Sequence, residues 1–354
     1  MGYFTNWASG LYLMSNLKEN MLKVGVIGFG YWGPNIVRNF NALKESEVTM
    51  VCDLNKTALA RVQESYRHIT TTSNYQDITD SPEIDIVTVV TPVFTHYEIT
   101  KRALLNGKHV FVEKPFTTSV VQAIELIEIA EKKGLKIMVD HTLLFTGSVR
   151  KIKELIDSKE LGNIYYYDST RINLGLFQHD VNVIWDLAPH DLSIMDYIID
   201  ERPTAITANG VDHFNRGLED VAYITIYFDN NIIAHFNMNW LSPVKMRTTL
   251  IGGDKKMLVW NDLEADEKIK IYDRGVNIES KDGVYKLLVD YRSGDIWTPK
   301  IDLTEALKLE AQYMIDCILN NKTPINDGHA GLSVVRILEA SLISIKNNGK
   351  MVKL

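Results

Sequence analysis

The sequence predicts an α/β fold in two domains: a doubly wound parallel sheet, then an α/β domain built on an open, largely antiparallel sheet. Three observations predict it. From Met21 to about Asp140, short β-branched runs alternate with amphipathic stretches of helical period. A glycine-rich turn, Gly28-Phe29-Gly30-Tyr31-Trp32-Gly33, joins the first of those strands to the first helix. Beyond a helix near Val149–Ser158 the texture changes to successive strands separated by turn residues.

In the first part the expected strands are Lys23–Ile27, Val48–Cys52, Ile84–Val90, His109–Val112 and Lys136–Val139. Between them, Asn35–Leu43 carries Ile36, Val37, Phe40 and Leu43 on one face. Val120–Lys133 repeats Ala123, Ile124, Ile127 and Ala130 at helical spacing, with Gly134 placed as its stop. In the second part the expected strands are Asn163–Ile172, Asp220–Phe228, Ile232–Trp240, Met246–Ile251 and Lys256–Trp260, with Asp229-Asn230 as a hairpin turn. The chain ends in two helical stretches, about Thr304–Asn320 and His329–Lys346. The expected division is 21–145 for the first domain and 146–354 for the second, with the C-terminal helices packing back on the first. Residues 1–20 lack both a basic n-region and an apolar h-region, and read as a leader or disordered extension.

A chain of 354 residues exceeds one ordinary core, which supports two domains. Its 45% hydrophobic and 23% charged residues exclude a disordered chain. A net charge of −7 argues against a nucleic-acid partner, whose phosphates need a basic face. No apolar run approaches the roughly 18 residues that span a bilayer. Cys52 and Cys317 lie far apart and form no disulfide framework, so the expected location is the cytoplasm.

The glycine turn has a specific physical logic. Gly28 permits the tight turn, Gly30 admits a pyrophosphate close to the backbone, and Gly33 lets helix and strand approach. Pro34 suits the first helical position, and free N–H groups at the helix start bind the anion. Asp53, twenty residues beyond Gly33, ends the second strand. A carboxylate there accepts hydrogen bonds from the adenosine ribose and repels a 2′-phosphate, so the expected cofactor is NAD rather than NADP. Lys56 is the one nearby feature that works the other way. A Rossmann domain follows from strand, glycines, helix and acid in register.

Val89-Val90-Thr91-Pro92, Thr95-His96 and Glu113-Lys114-Pro115, with the C-terminal segment Leu332–Ala340, resemble the Gfo/Idh/MocA oxidoreductase family. The resemblance runs from Met21 to Leu354. It implies a Rossmann domain followed by an open-sheet domain, through which members often associate as homodimers or homotetramers. It also implies a cofactor site of Gly28 to Gly33 (Phe29, Tyr31 and Trp32 included), Asp53, Thr91, Pro92, His96, Glu113 and Lys114. Lys114 would stand between the nicotinamide ribose and a substrate hydroxyl.

Oxidising a secondary alcohol removes a proton from oxygen as hydride leaves carbon. A cation beside the oxygen and a base near neutral pKa both serve that step. Lys114 suits the first role. Trp185-Asp186-Leu187-Ala188-Pro189-His190 supplies the second: it resembles the family's D-x-G-x-H-x-x-D signature, but has Ala188 where glycine is common and Ser193 where an acid is common. His190 is the expected acid–base group, and Asp186 its orienter or a sugar-binding carboxylate. Arg171, Asn173, Gln178, Asn182 and Trp185 are candidate substrate contacts. No metal is expected, because no HExxH and no third ligand accompany Asp186 and His190. The expected function is hydride transfer between a sugar-ring carbon and NAD. Ile172–His190 resembles members acting on the 3-hydroxyl of UDP-sugars, which makes C3 of a nucleotide sugar the expected target. Oxidation of a free aldose or inositol, and a non-catalytic NAD-binding sensor, are the alternatives.

Overall fold

The computed structural model describes residues 21–175, 180–278 and 289–354. The chain folds into two compact units, each drawn from two separate stretches of sequence. One comprises residues 21–140 with Leu307–Leu332, the other His141–Ala306 with Ser333–Leu354.

In the first unit β1 (Leu22–Ile27), α1 (Gly33–Asn41), β2 (Ser46–Cys52), α2 (Lys56–Ser65), β3 (Thr70–Thr72), α3 (Gln76–Thr79), β4 (Ile86–Val89), α4 (His96–Leu105), β5 (His109–Glu113), α5 (Val120–Lys133) and β6 (Ile137–Asp140) follow one another. The strands pair in parallel in the order β3-β2-β1-β4-β5-β6. That is the doubly wound Rossmann order, whose direction reverses between β1 and β4. The helix ends follow local chemistry. Ser119 caps α5 by accepting from the Gln122 N–H, and Gly134 closes it at φ 66°. Ile36, Val37 and Phe40 of α1 are buried against Val24, Val26, Val48 and Val51 in one core.

In the second unit α6 (Gly147–Asp157), β7 (Ile164–Leu174) and α7 (Val183–Ile198) precede β8 (Pro203–Val211), β9 (Val221–Phe228), β10 (Ile233–Asn239), β11 (Leu241–Gly253), β12 (Met257–Asn261), β13 (Ile269–Ile278) and β14 (Val289–Trp297). With the terminal β15 (Val352–Lys353) they form a nine-stranded sheet, ordered β14-β13-β12-β11-β7-β10-β9-β8-β15. Every neighbouring pair is antiparallel except β7 with β10. The hairpin between β9 and β10 turns through Asp229–Asn231, where Asn231 takes the left-handed conformation. One face of the sheet packs on α7 through Tyr167, Ser169 and Arg171 of β7 and Ala234, Phe236 and Met238 of β10, all buried.

α8 (Ala306–Leu319) belongs to the first unit, where Leu307, Ala311, Met314 and Ile315 enter the core around β1 and β2. α9 (Gly328–Lys346) is long and apolar enough to meet a membrane-span criterion, yet 56% of that stretch is buried in the fold, as in a core helix.

Candidate active site

The glycine turn is built as a phosphate cradle. A Cβ on Gly28, at φ 104°, would come within 2.2 Å of the Val90 carbonyl oxygen, and one on Gly33 within 2.4 Å of the Gly28 oxygen. Gly30 meets nothing within 4 Å, so its backbone stays open to an anion. Asp53 stands just past β2 and accepts from the N–H of Phe29 (2.6 Å, Oδ2) and of Asn55 (2.7 Å, Oδ1). Its carboxylate therefore holds the glycine turn. A groove of about 620 Å³ runs past Gly28, Gly30, Asp53, Leu54, Thr91 and Pro92. These features fit a dinucleotide. Cys52 also borders the groove, but burial and the Asp53 charge push its thiol up to about 11, which leaves it protonated and unreactive. Within the turn Phe29 is buried, Tyr31 is 94% exposed, and Trp32 donates its indole N–H to Asp140 at 2.8 Å.

The edge of the sheet beyond β4 carries the other expected cofactor residues. Thr91 and Thr95 share a 2.6 Å hydroxyl contact, and the Thr95 hydroxyl donates to the Pro92 carbonyl. His96, expected at the nicotinamide, is buried and ties two loop carbonyls together. Its Nδ1 lies 2.9 Å from the Pro115 carbonyl oxygen and its Nε2 2.8 Å from that of Thr91. Two carbonyls favour the doubly protonated ring and burial favours the neutral one. Burial is the larger effect, and the histidine's pKa lies below its ordinary value. Glu113 and Lys114 are half-buried at the end of β5, where Glu113 pairs in register with Asp140 of β6. Burial, reinforced by the Asp140 charge and opposed by Lys114, pushes the Glu113 carboxyl well above the usual carboxylate range.

In the second unit α7 positions the candidate acid–base pair. Asn182, expected as a substrate contact in a polar loop, is buried and caps this helix by accepting from the Trp185 N–H at 3.1 Å. Its amide also donates to Glu219 at 2.6 Å. Asp186 and His190 stand four residues apart on one helical face, both half-buried. The buried Trp240 indole donates to Asp186 Oδ2 at 3.1 Å. Arg171, also expected at substrate, is buried and committed to Asp191 through two bonds of 2.6 and 2.9 Å. That pair locks β7 to the helix turn beside His190. Asn173 is half-buried near the end of β7, and the indole N–H of buried Trp185 meets no acceptor among the described residues. Gln178 lies outside the described residues, as do residues 1–20. No cluster of three metal-ligating side chains occurs among the described residues.

Sequence reasoning missed Asp140, Trp240 and Asp191. Asp140 had a signal, since it follows an expected strand at the edge where doubly wound sheets bind ligands. The partners of Asp186 and Arg171 are tertiary contacts with no local signature.

Comparison with known proteins agrees with this geometry. Residues 22–141 match the oxidoreductase family with NAD-binding Rossmann fold, and residues 149–259 match the GFO/IDH/MocA C-terminal domain. The chain belongs to the Gfo/Idh/MocA family and is an NAD(P)-dependent oxidoreductase. An uncharacterised oxidoreductase of Bacillus subtilis (strain 168), YrbE, is 26% identical over 220 residues, 59% of this chain and 64% of that protein. The scyllo-inositol 2-dehydrogenase (NAD(+)) of the same organism is 24% identical over 320 residues, 87% of this chain and 89% of that protein. Among solved structures, UDP-N-acetylglucosamine 3-dehydrogenase GnnA from Acidithiobacillus ferrooxidans shares the fold, with a TM-score of 0.75 at 23% identity, over 92% of this chain and 98% of its own.

Proposed function

We propose that the protein is an NAD-dependent dehydrogenase of a sugar-ring hydroxyl, with C3 of a nucleotide-linked sugar as its target. The observation that carries the dehydrogenase reading is the open cradle at Gly30 beside Asp53, with Lys114 on the same sheet edge. NAD supplies a ring that accepts hydride. Asp53 favours NAD over NADP, because its carboxylate, held by two backbone N–H groups, repels a 2′-phosphate.

The chain's own residues do the rest. Lys114 stabilises negative charge on the substrate oxygen, and His190 takes its proton. Asp186, held by Trp240, orients that histidine or accepts a neighbouring sugar hydroxyl. The orphan indole N–H of Trp185 suits a sugar oxygen, since a buried donor without an acceptor is costly. Arg171 supports the site through Asp191 rather than touching substrate.

The nucleotide-sugar reading is supported by the Ile172–His190 segment, whose pattern resembles UDP-sugar 3-dehydrogenases. A polyol reading is favoured by the inositol dehydrogenase relative, which aligns over most of both chains. Incubating the protein with NAD and UDP-sugars, TDP-sugars, free aldoses or inositols, and recording NADH absorbance, separates them. NADH with a UDP-sugar supports the first reading; NADH with an inositol alone replaces it with the second.

A further inference from the structure

We propose that Glu113 and Asp140 share one proton at the nicotinamide end of the cofactor groove, and that the cationic oxidised cofactor displaces this proton while the neutral reduced cofactor does not. The inference rests on the cofactor reading above and deepens it.

The two residues are the last of β5 and β6, paired in register, so both stand on the edge where this sheet binds ligands. Asp53 marks the β2 side of the switch point as the adenosine end, which leaves the β4–β6 side for the nicotinamide. In-register neighbours on parallel strands point to the same face, so the Glu113 and Asp140 side chains stand side by side at this edge. Two ionised carboxylates so placed repel and offer each other no donor, whereas one retained proton lets them share a hydrogen bond. Trp32 distinguishes the two carboxyls: its indole donates to Asp140 Oδ2 at 2.8 Å, so the shared proton is placed on Glu113. The raised affinity of Glu113 for its proton, caused first by burial and then by the Asp140 charge, agrees.

Other titratable groups stand near the pair, among them the buried His141 that directly follows Asp140. Lys114 follows on the same loop and favours ionisation of Glu113. From α4, His96 reaches this loop through the Pro115 carbonyl, and burial lowers that ring's affinity for a second proton. From α8, Glu310 bonds Asn326, whose amide also donates to the Val139 carbonyl beside Asp140. A cationic ring brought to this edge lowers the cost of a second carboxylate, as any nearby opposite charge does. Burial and the neighbouring carboxyl favour the acid form of Glu113 in the free protein, so binding of a cation favours release of that proton and affinity for the oxidised cofactor rises with pH. A neutral ring gives no such coupling. For one linked proton the rise is bounded at about tenfold per pH unit.

Calorimetric titration of the full chain with NAD+ and with NADH tests this, at pH 6, 7 and 8 in buffers of different ionisation enthalpy. The expected result is proton release with NAD+ and a several-fold gain in its affinity across that range, against a change below about twofold for NADH. Asp140→Asn removes the anionic neighbour, so Glu113 ionises at lower pH and the NAD+ profile flattens. Glu113→Gln flattens it too, should the asparagine variant not fold. Trp32→Phe removes the donor to Asp140, and the rise moves to higher pH, a displacement that a merely structural tryptophan would not produce. Equal proton release by both nucleotides, or a wild-type profile in Asp140→Asn, overturns the shared proton alone. Failure of both nucleotides to bind at any pH overturns the cofactor reading with it.

Discussion

Asp53 shows how one side chain serves fold and specificity together. It holds the glycine turn through the Phe29 N–H and its own turn through the Asn55 N–H, and on the proposed reading it also presents negative charge to the cofactor ribose. Replacing it with serine, with Leu54→Arg, therefore shifts preference from NAD towards NADP and loosens the turn. Leu54 is 88% exposed, so the arginine has room beside the ribose. Titration of both nucleotides checks this, and tighter NADP binding by the unaltered protein contradicts it. At the reacting centre, Lys114→Ala and His190→Asn are each expected to lower turnover by roughly a hundredfold or more. NAD affinity is expected to stay within several-fold, because the proposed pyrophosphate and ribose contacts come from Gly28 to Gly33 and Asp53. Steady-state rates with NAD titrations alongside separate the two effects.

At the scale of elements, what was legible followed from local physics. The βαβ alternation, the glycine turn, the stop at Gly134 and the β9–β10 hairpin each carry their own sequence signature, and each stands where periodicity put it. β3 is three residues of Thr70–Thr72, too short for a period to register. α7 carries Pro189 inside it; the proline has no N–H for the Trp185 carbonyl, and packing on β7, β9 and β10 holds the helix regardless. Motifs in the sequence single out Lys114 and His190 as candidates without any tertiary information. The site was not legible where tertiary contact decides the role, as at Arg171 and Asn182. The Arg171–Asp191 pair yields a stability expectation. Arg171→Ala strands a buried carboxylate and costs about 3–5 kcal/mol, read as a large fall in melting temperature. Arg171→Met with Asp191→Leu removes both charges and recovers most of that loss. If the single variant melts like the wild type, the pair does not secure α7.

On the scale of the whole molecule, the second unit leaves one sheet face without a covering layer of helix among the described residues. Tyr223 of β9, Ile233 of β10 and Met246 and Leu250 of β11 are exposed on it, alternating with the buried row that meets α7. We infer that a second copy of the chain covers this face, as the family resemblance implies. Tyr223→Glu with Leu250→Glu is expected to yield a smaller species in size-exclusion chromatography with light scattering. A monomeric unaltered protein contradicts the inference.

The central claim is that this protein moves hydride from a sugar carbon to NAD with Lys114 and His190 acting on the substrate oxygen. Single-turnover NADH formation across pH, using a substrate found among the nucleotide sugars, aldoses and inositols, tests it most directly. A burst of NADH is expected in the wild type, with a pH dependence that a slow His190→Asn variant lacks. A histidine variant with the wild-type rate and pH profile, or no NADH from any sugar or polyol, contradicts it.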